Sequence, residues 1–159
     1  MTTLPDRNEM ADEIVAILKA STKDGIKDVT DENIRYGLRT ITQMFAVEPR
    51  GREPGMVFVA PGASRYPQKT MGHGTQRFEQ DFEIQVALHG HDPETDQKLA
   101  VTIAQGVEEE LFDTRNKELP SGGHFAGVEA FEPGPPVGRS NLTLHYVVMT
   151  VTYWKFTKL

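Results

Sequence analysis

Cysteine is absent from all 159 residues, and that absence removes disulfide staples, thiol nucleophiles and every thiolate metal site in one step. Such a chain suits a reducing compartment. Long apolar runs are missing too: nothing approaches the roughly 18 consecutive apolar residues that cross a bilayer, so no membrane contact is expected. The opening segment MTTLPDRNEMADEI has neither the basic nor the apolar region of a secretory signal, and none is expected to act. Positive charge is scarce, with 17 Lys and Arg against 23 Asp and Glu for a formal net charge of −6. Affinity for exposed phosphate comes largely from clustered Lys and Arg, so free nucleic acid is not an expected ligand.

What is present suits one folded domain spanning residues 1–159. Apolar residues make up 38% and charged residues 25% of the chain, enough hydrophobic material to offset the entropy of ordering and too balanced for a disordered tail. Asp6 and Glu9 have capping-box spacing, and Met10, Ile14, Ile17 and Leu18 follow at helical period, predicting a helix over 6–20. Gly25 marks a loop, and Thr30 to Asn33 could cap a short helix through Leu38. Alternation from Thr40 to Val47 predicts a strand over 39–48, ended by Pro49. A turn at Arg50–Gly55 and a return over Met56–Ala60 would make a hairpin.

Residues 61–76 combine Gly and Pro with little periodicity, predicting a long exposed loop that orders on assembly. Phe82, Ile84, Val86 and Leu88 fall on one face of a strand from Thr75 to Gly90, with Asp81, Glu83 and Gln85 on the other. Pro93 opens a second long helix in which Leu99, Ile103, Val107 and Leu111 repeat every four residues. A strand over 125–131, a Pro/Gly turn over 132–138 and a final strand over 141–157 complete the chain. That final strand is apolar on both faces and is expected to be covered on both sides. The order α-β-β-β-α-β-β predicts an α+β fold, an antiparallel or mixed β-sheet with two long helices packed on one face.

Motifs that carry chemistry are sparse. His89-Gly90-His91-Asp92 could offer two imidazoles to a zinc or iron ion. The same residues also read as a strand-to-helix turn in which Asp92 caps the next helix, and this reading is preferred. His73, His124 and His145 sit in no motif. Ser64, Ser121 and Ser140 lie in Gly/Pro turns without a nucleophile elbow. Gly72-His73-Gly74 and Gly122-Gly123 lack the Lys-Ser/Thr of a phosphate loop. Glu108, Glu109 and Glu110 fan out by about 100° each on a helix and read as a solvated face. No catalytic residue, metal ligand or cofactor-binding residue is assigned, and no enzyme activity is expected.

One concentration of positive charge stands out in this acidic chain: Arg65, Tyr66, Lys69 and Arg77. These residues could form an arm that folds onto an acidic partner, or they could be ordinary solvated side chains.

The element order, the strand-turn-helix segment FEIQVALHGHDPETDQKL and the aromatic closing strand VVMTVTYWKF together resemble the tail terminator, or tail-completion, proteins of long-tailed phages and related archaeal viruses. The resemblance covers nearly the whole chain. It implies a structural virion protein, made in the host cytoplasm, that stands as a homo-oligomeric ring of six at the head-proximal end of the tail. Its partners would be further copies of itself, the tail tube protein and a head-tail connector or neck protein. Genomic DNA would pass through the lumen without sequence-specific binding, which an acidic balance favours. No residue is carried over individually from that family. Other neck and head-completion proteins, a small metal-dependent enzyme using His89 and His91, and a ligand-binding module are the alternatives.

Overall fold

The Asp6 carboxylate accepts hydrogen bonds from the backbone N–H groups of Asn8 and Glu9, which otherwise have no acceptor in a first helical turn. The helix it starts, α1 (Arg7–Lys19), buries Met10, Ala11, Ile14, Val15 and Leu18 on one stripe, the period read from the sequence. This computed structural model describes residues 4–46, 55–67, 74–139 and 142–158. Further along the chain come β1 (Ile34–Tyr36), α2 (Ile41–Ala46), β2 (Met56–Arg65), β3 (Thr75–Gly90), α3 (Pro93–Phe112), β4 (His124–Pro133), β5 (Val137–Arg139) and β6 (Leu142–Lys158).

The strands form one mixed sheet in the order β1-β2-β3-β6-β4, with β5 also paired to β6. Only β1 and β2 run parallel. All sixteen residues of β3 pair with β6, from Thr75 opposite Lys158 to Gly90 opposite Thr143. Helices α1 and α3 pack on the inner sheet face, where Val57 and Val59, Phe82, Ile84, Val86 and Leu88, and Val147, Met149, Val151 and Tyr153 join the main core. Full burial of each such side chain contributes roughly 1.5–3 kcal/mol. The protein is thus α+β with both long helices on one face, as its pattern predicts.

Loop and helix close together at two glycines. A side chain at Gly25, whose φ is +92°, would run into the Thr102 carbonyl, and a Cβ at Gly106 would stand 2.7 Å from the Asp24 carbonyl oxygen. Without them the 21–29 segment could not lie flat on α3.

Several expectations are corrected. Residues 41–46 form a helix, not part of a strand over 39–48. The Thr40 hydroxyl accepts from the Gln43 N–H, and the Gln43 side chain accepts from the Thr40 N–H, a reciprocal cap that starts a helical turn. The hairpin with residues 56–60 therefore does not exist. A parallel neighbour requires a crossover rather than a tight turn, and the chain from β1 through α2 to β2 supplies it. The helix expected from Thr30 to Leu38 is a single 3₁₀ turn at Asp31–Asn33, followed by β1.

The long loop over 61–76 is strand at both ends, because β2 continues to Arg65 and β3 begins at Thr75. Pro61 and Gly62 are absorbed where the register shifts between Pro61 and Ser64. That is a tolerable place for proline, since β1 pairs only with Val57, Phe58 and Val59 and leaves this stretch of β2 an edge. Residues 132–138 likewise contain the end of β4 and the start of β5. Pro49, most of the turn at 50–55, Lys69, Gly72, His73, Ser140 and Asn141 lie outside the described residues.

Candidate functional site

The outer sheet face is divided. At one end Met44 of α2 covers Met56, Phe58, Ala87 and Leu144, with Phe45, Val137 and Tyr146 packed around them. At the other end, among the described residues, no helix crosses the sheet, and the face is built from charge and aromatic rings. Alternation places Arg77, Glu79 and Asp81 of β3 on this face together with Thr152 and Trp154 of β6.

Arg65, at the end of β2, is the centre of the polar part. Its guanidinium donates from Nε to Glu79 Oε2 at 2.9 Å, from Nη1 to Asp81 Oδ2 at 2.8 Å and from Nη2 to Glu129 Oε1 at 3.0 Å. The hydrogen bond to Asp81 comes first among the causes that raise the Arg65 pKa above its ordinary value. Asp81, itself buried, accepts a further bond from the Thr152 hydroxyl at 2.7 Å. Glu129 belongs to β4, which a flat sheet would hold three strand spacings, or roughly 14 Å, from β2. The two long side chains reach across that span and meet at 3.0 Å over β3 and β6. Two register shifts in β4, at Phe125/Gly127 and Val128/Ala130, are irregularities of the kind that bend a strand. A cleft of about 200 Å³ lies here, lined by Arg65, Glu79, Gly127, Glu129 and Thr152.

Arg77 approaches the other oxygen of Glu79 at 3.1 Å, yet its Nε–H makes no aligned hydrogen bond. We regard the contact as an ion pair, because its guanidinium lies over the Trp154 ring, 4.8 Å from the centroid. His124 stacks on Trp154 at 4.6 Å, and Phe156 meets the same indole edge-on at 5.5 Å. Phe156 is 56% exposed. The result is an aromatic row at the strand ends, with a cation on it and carboxylates behind.

Of the residues singled out from sequence, Arg65 and Arg77 come together through their shared Glu79. Both are matched by carboxylates of the sheet itself, so neither offers an unneutralised charge to an acidic partner. Tyr66 follows Arg65, is partly exposed, and rests on Phe78 at 5.4 Å on the other side of the sheet. Lys69 lies outside the described residues. Sequence reasoning missed Glu79, Glu129, Trp154, His124 and Phe156 as members of the site. The spacing Arg77, Glu79, Asp81 on a strand was a usable signal. Glu129 had none, since its place depends on topology.

The remaining candidates are accounted for locally. Asp92 caps α3, accepting from the N–H and hydroxyl of Thr95 at 3.2 and 3.0 Å, and these bonds hold its carboxyl below the usual range. His89 stacks on Phe45. Among the described residues, no group of three or more His, Asp or Glu side chains is placed to hold a metal ion. The Ser121 hydroxyl donates to Glu13. Glu110 departs from the expected solvated face, being only 3% exposed.

No protein-family model matches the sequence, and no curated protein is similar to it at a significant level.

Proposed function

We propose that the chain is a structural subunit that assembles with identical copies into a closed ring, in the role of a tail terminator at the head-proximal end of a virus tail. The observation that carries this reading is the aromatic row of exposed Phe156 with half-buried Trp154 and His124 beside β4, whose sole strand partner among the described residues is β6 and whose first residue alone is bridged on the other side, by Glu118. Exposed aromatics are enriched in the buried centres of protein interfaces, and an open strand edge asks for a cover. A neighbouring copy supplies both in every subunit when a head-to-tail contact closes on itself. Such a contact would bury on the order of 1,000 Å².

The ring's role at the tail, its six-fold number, and its contacts with the tube and connector come from the resemblance in sequence order and from the two segments that carry it. A net charge of −6 fits a lumen through which DNA slides without adhering. Light scattering on the purified chain, alone and with tail tube protein, tests the assembly. A particle at a whole multiple of 17.8 kDa is expected, together with density for the chain at the head-proximal end of the tail in a virion reconstruction. A monomer that stays monomeric with the tube present, or absence of the chain from that end, overturns the reading.

A further inference from the structure

Where the 21–29 segment, the start of β2 and α3 meet, the surface opens into a hollow of about 150 Å³. Val29, Leu99 and Ile103 form its apolar walls, and exposed Thr102 and Asp28 stand at its mouth. Gly25 and Gly55 line it with backbone alone. A Cβ at Gly55 would stand 2.6 Å from Ile103 Cδ1 and 3.3 Å from Val29 Cγ2, so any side chain there would intrude between these walls. A cavity of about 150 Å³ with Leu and Ile walls is of the size that takes up benzene. The neighbouring Lys27 ammonium is held by Asp24 at 2.8 Å, which leaves Asp28 without an ion-pair partner among the described residues.

The complementary shape is on the same chain. Phe156 is 56% exposed on the outer sheet face, and exposed Lys158, two residues further along β6, presents its ammonium on that same face. Lys158 has no carboxylate partner among the described residues. A phenyl ring with a cation one strand repeat away matches an apolar hollow with a carboxylate at its mouth. One copy cannot bring the two together. The hollow adjoins Met56, which is level with Ala87 and Tyr146, whereas Phe156 stands ten residues beyond Tyr146 on β6. That is roughly 33 Å by strand rise, and α3 lies on the opposite face of the sheet.

We propose that the Phe156 ring of one copy seats in the hollow of Val29, Leu99 and Ile103 on the next, with the Lys158 ammonium against Asp28. This contact rests on the self-assembly proposed above and names the surfaces that meet. Because ring and hollow lie at opposite ends of the molecule, the contact is head-to-tail, as a closed ring requires. The buried ring supplies most of the affinity, while the rim ion pair adds little and fixes orientation.

The test is sedimentation of two variants, apart and mixed. Phe156→Ser removes the ring. Thr102→Phe fills the mouth of the hollow from an exposed helical position, where the two residues have similar helix propensity, and the Tm of each variant checks its folding. Each alone should self-associate at least tenfold more weakly than the native chain. An equimolar mixture should form a particle of two chains and nothing larger, since Phe156 of the second variant still fits the hollow of the first. Asp28→Lys and Lys158→Glu should each weaken assembly about twofold to fivefold, and together in one chain restore it. If the native chain assembles and both Phe156→Ser and Thr102→Phe assemble equally well, this contact is overturned and the ring reading stands. Weakened variants that fail to complement in the mixture, or charge reversals whose effects add, overturn it too. Complementation by a chain absent from the head-proximal end of the tail supports the contact and removes the tail role, whereas a native chain that stays monomeric with tail tube protein overturns both.

Discussion

The two ends of the outer sheet face are protected by different means. Near Met56, Phe58, Ala87 and Leu144, a six-residue helix lies over the strands and contributes Met44 to a small apolar cluster. Near Arg65 there is no helix among the described residues, and one guanidinium clasps carboxylates from β3 and β4. The first device depends on area removed from water and is non-directional. The second depends on geometry, is shared with solvent at the rim, and leaves polar and aromatic groups facing outward. A surface meant to meet a partner can use the second arrangement and not the first.

The sharpest way to break the comparison is to damage the apolar end. Phe58 is fully buried, and Phe58→Ala should cost about 3–5 kcal/mol through lost burial and the cavity left behind, read from urea unfolding. A loss below about 1 kcal/mol would mean that α2 is not seated there. A smaller effect is expected at the polar end. Arg65→Met strands Asp81 and leaves Glu79 with Arg77 alone, but the Arg65 side chain is about a third exposed at 37% and solvent would answer part of the charge. A cost of about 1–2 kcal/mol follows, and Arg65→Met combined with Asp81→Asn should recover part of it. Full additivity of the two changes would show that the clasp is not coupled.

Thr40→Ala addresses the lid itself. Losing the hydroxyl that accepts from Gln43 N–H should cost about 1 kcal/mol, with hydrogen-exchange protection falling in α2 and not in β3. If protection falls equally in both, α2 is no separable lid.

The contrast also explains what the sequence disclosed. Helices α1 and α3 and strand β3 are long enough for one period to dominate, and each was legible from Met10 to Leu18, Leu99 to Leu111 and Phe82 to Leu88, while β6 was legible as a long run apolar on both faces. Over the six residues of α2, Thr42, Met44 and Ala46 alternate as a strand would, and too few turns exist for the helical period to compete. The deciding signal was the Thr40–Gln43 cap spacing. Pro61 and Gly62 read as chain breakers, although a bulge on an edge absorbs them. At the site, Arg65 and Arg77 were visible as scarce positive charge and Glu79 was deducible from strand alternation. Glu129 was not, because its approach to Arg65 requires knowing that β4 lies beyond β6 in the sheet.

The smallest stability effect is expected where the functional effect should be large. Phe156 is 56% exposed and meets only the edge of Trp154 among ring neighbours, so Phe156→Ser should change unfolding free energy by no more than about 0.5 kcal/mol. Aromatic anchors near the centre of an interface commonly contribute about 2 kcal/mol or more to binding, which is roughly a thirtyfold change in a dissociation constant. Phe112 is the natural control. It is comparably exposed at 47% and also sits edge-on to one ring, that of Phe125 at 5.0 Å, but it ends α3 rather than projecting from the outer sheet face. Sedimentation of Phe156→Ser and Phe112→Ser across a concentration series should show weakened assembly for the first and little change for the second. Equal weakening would reflect general loss of apolar surface, and weakening by Phe112→Ser alone would move the interface to the helical side of the molecule.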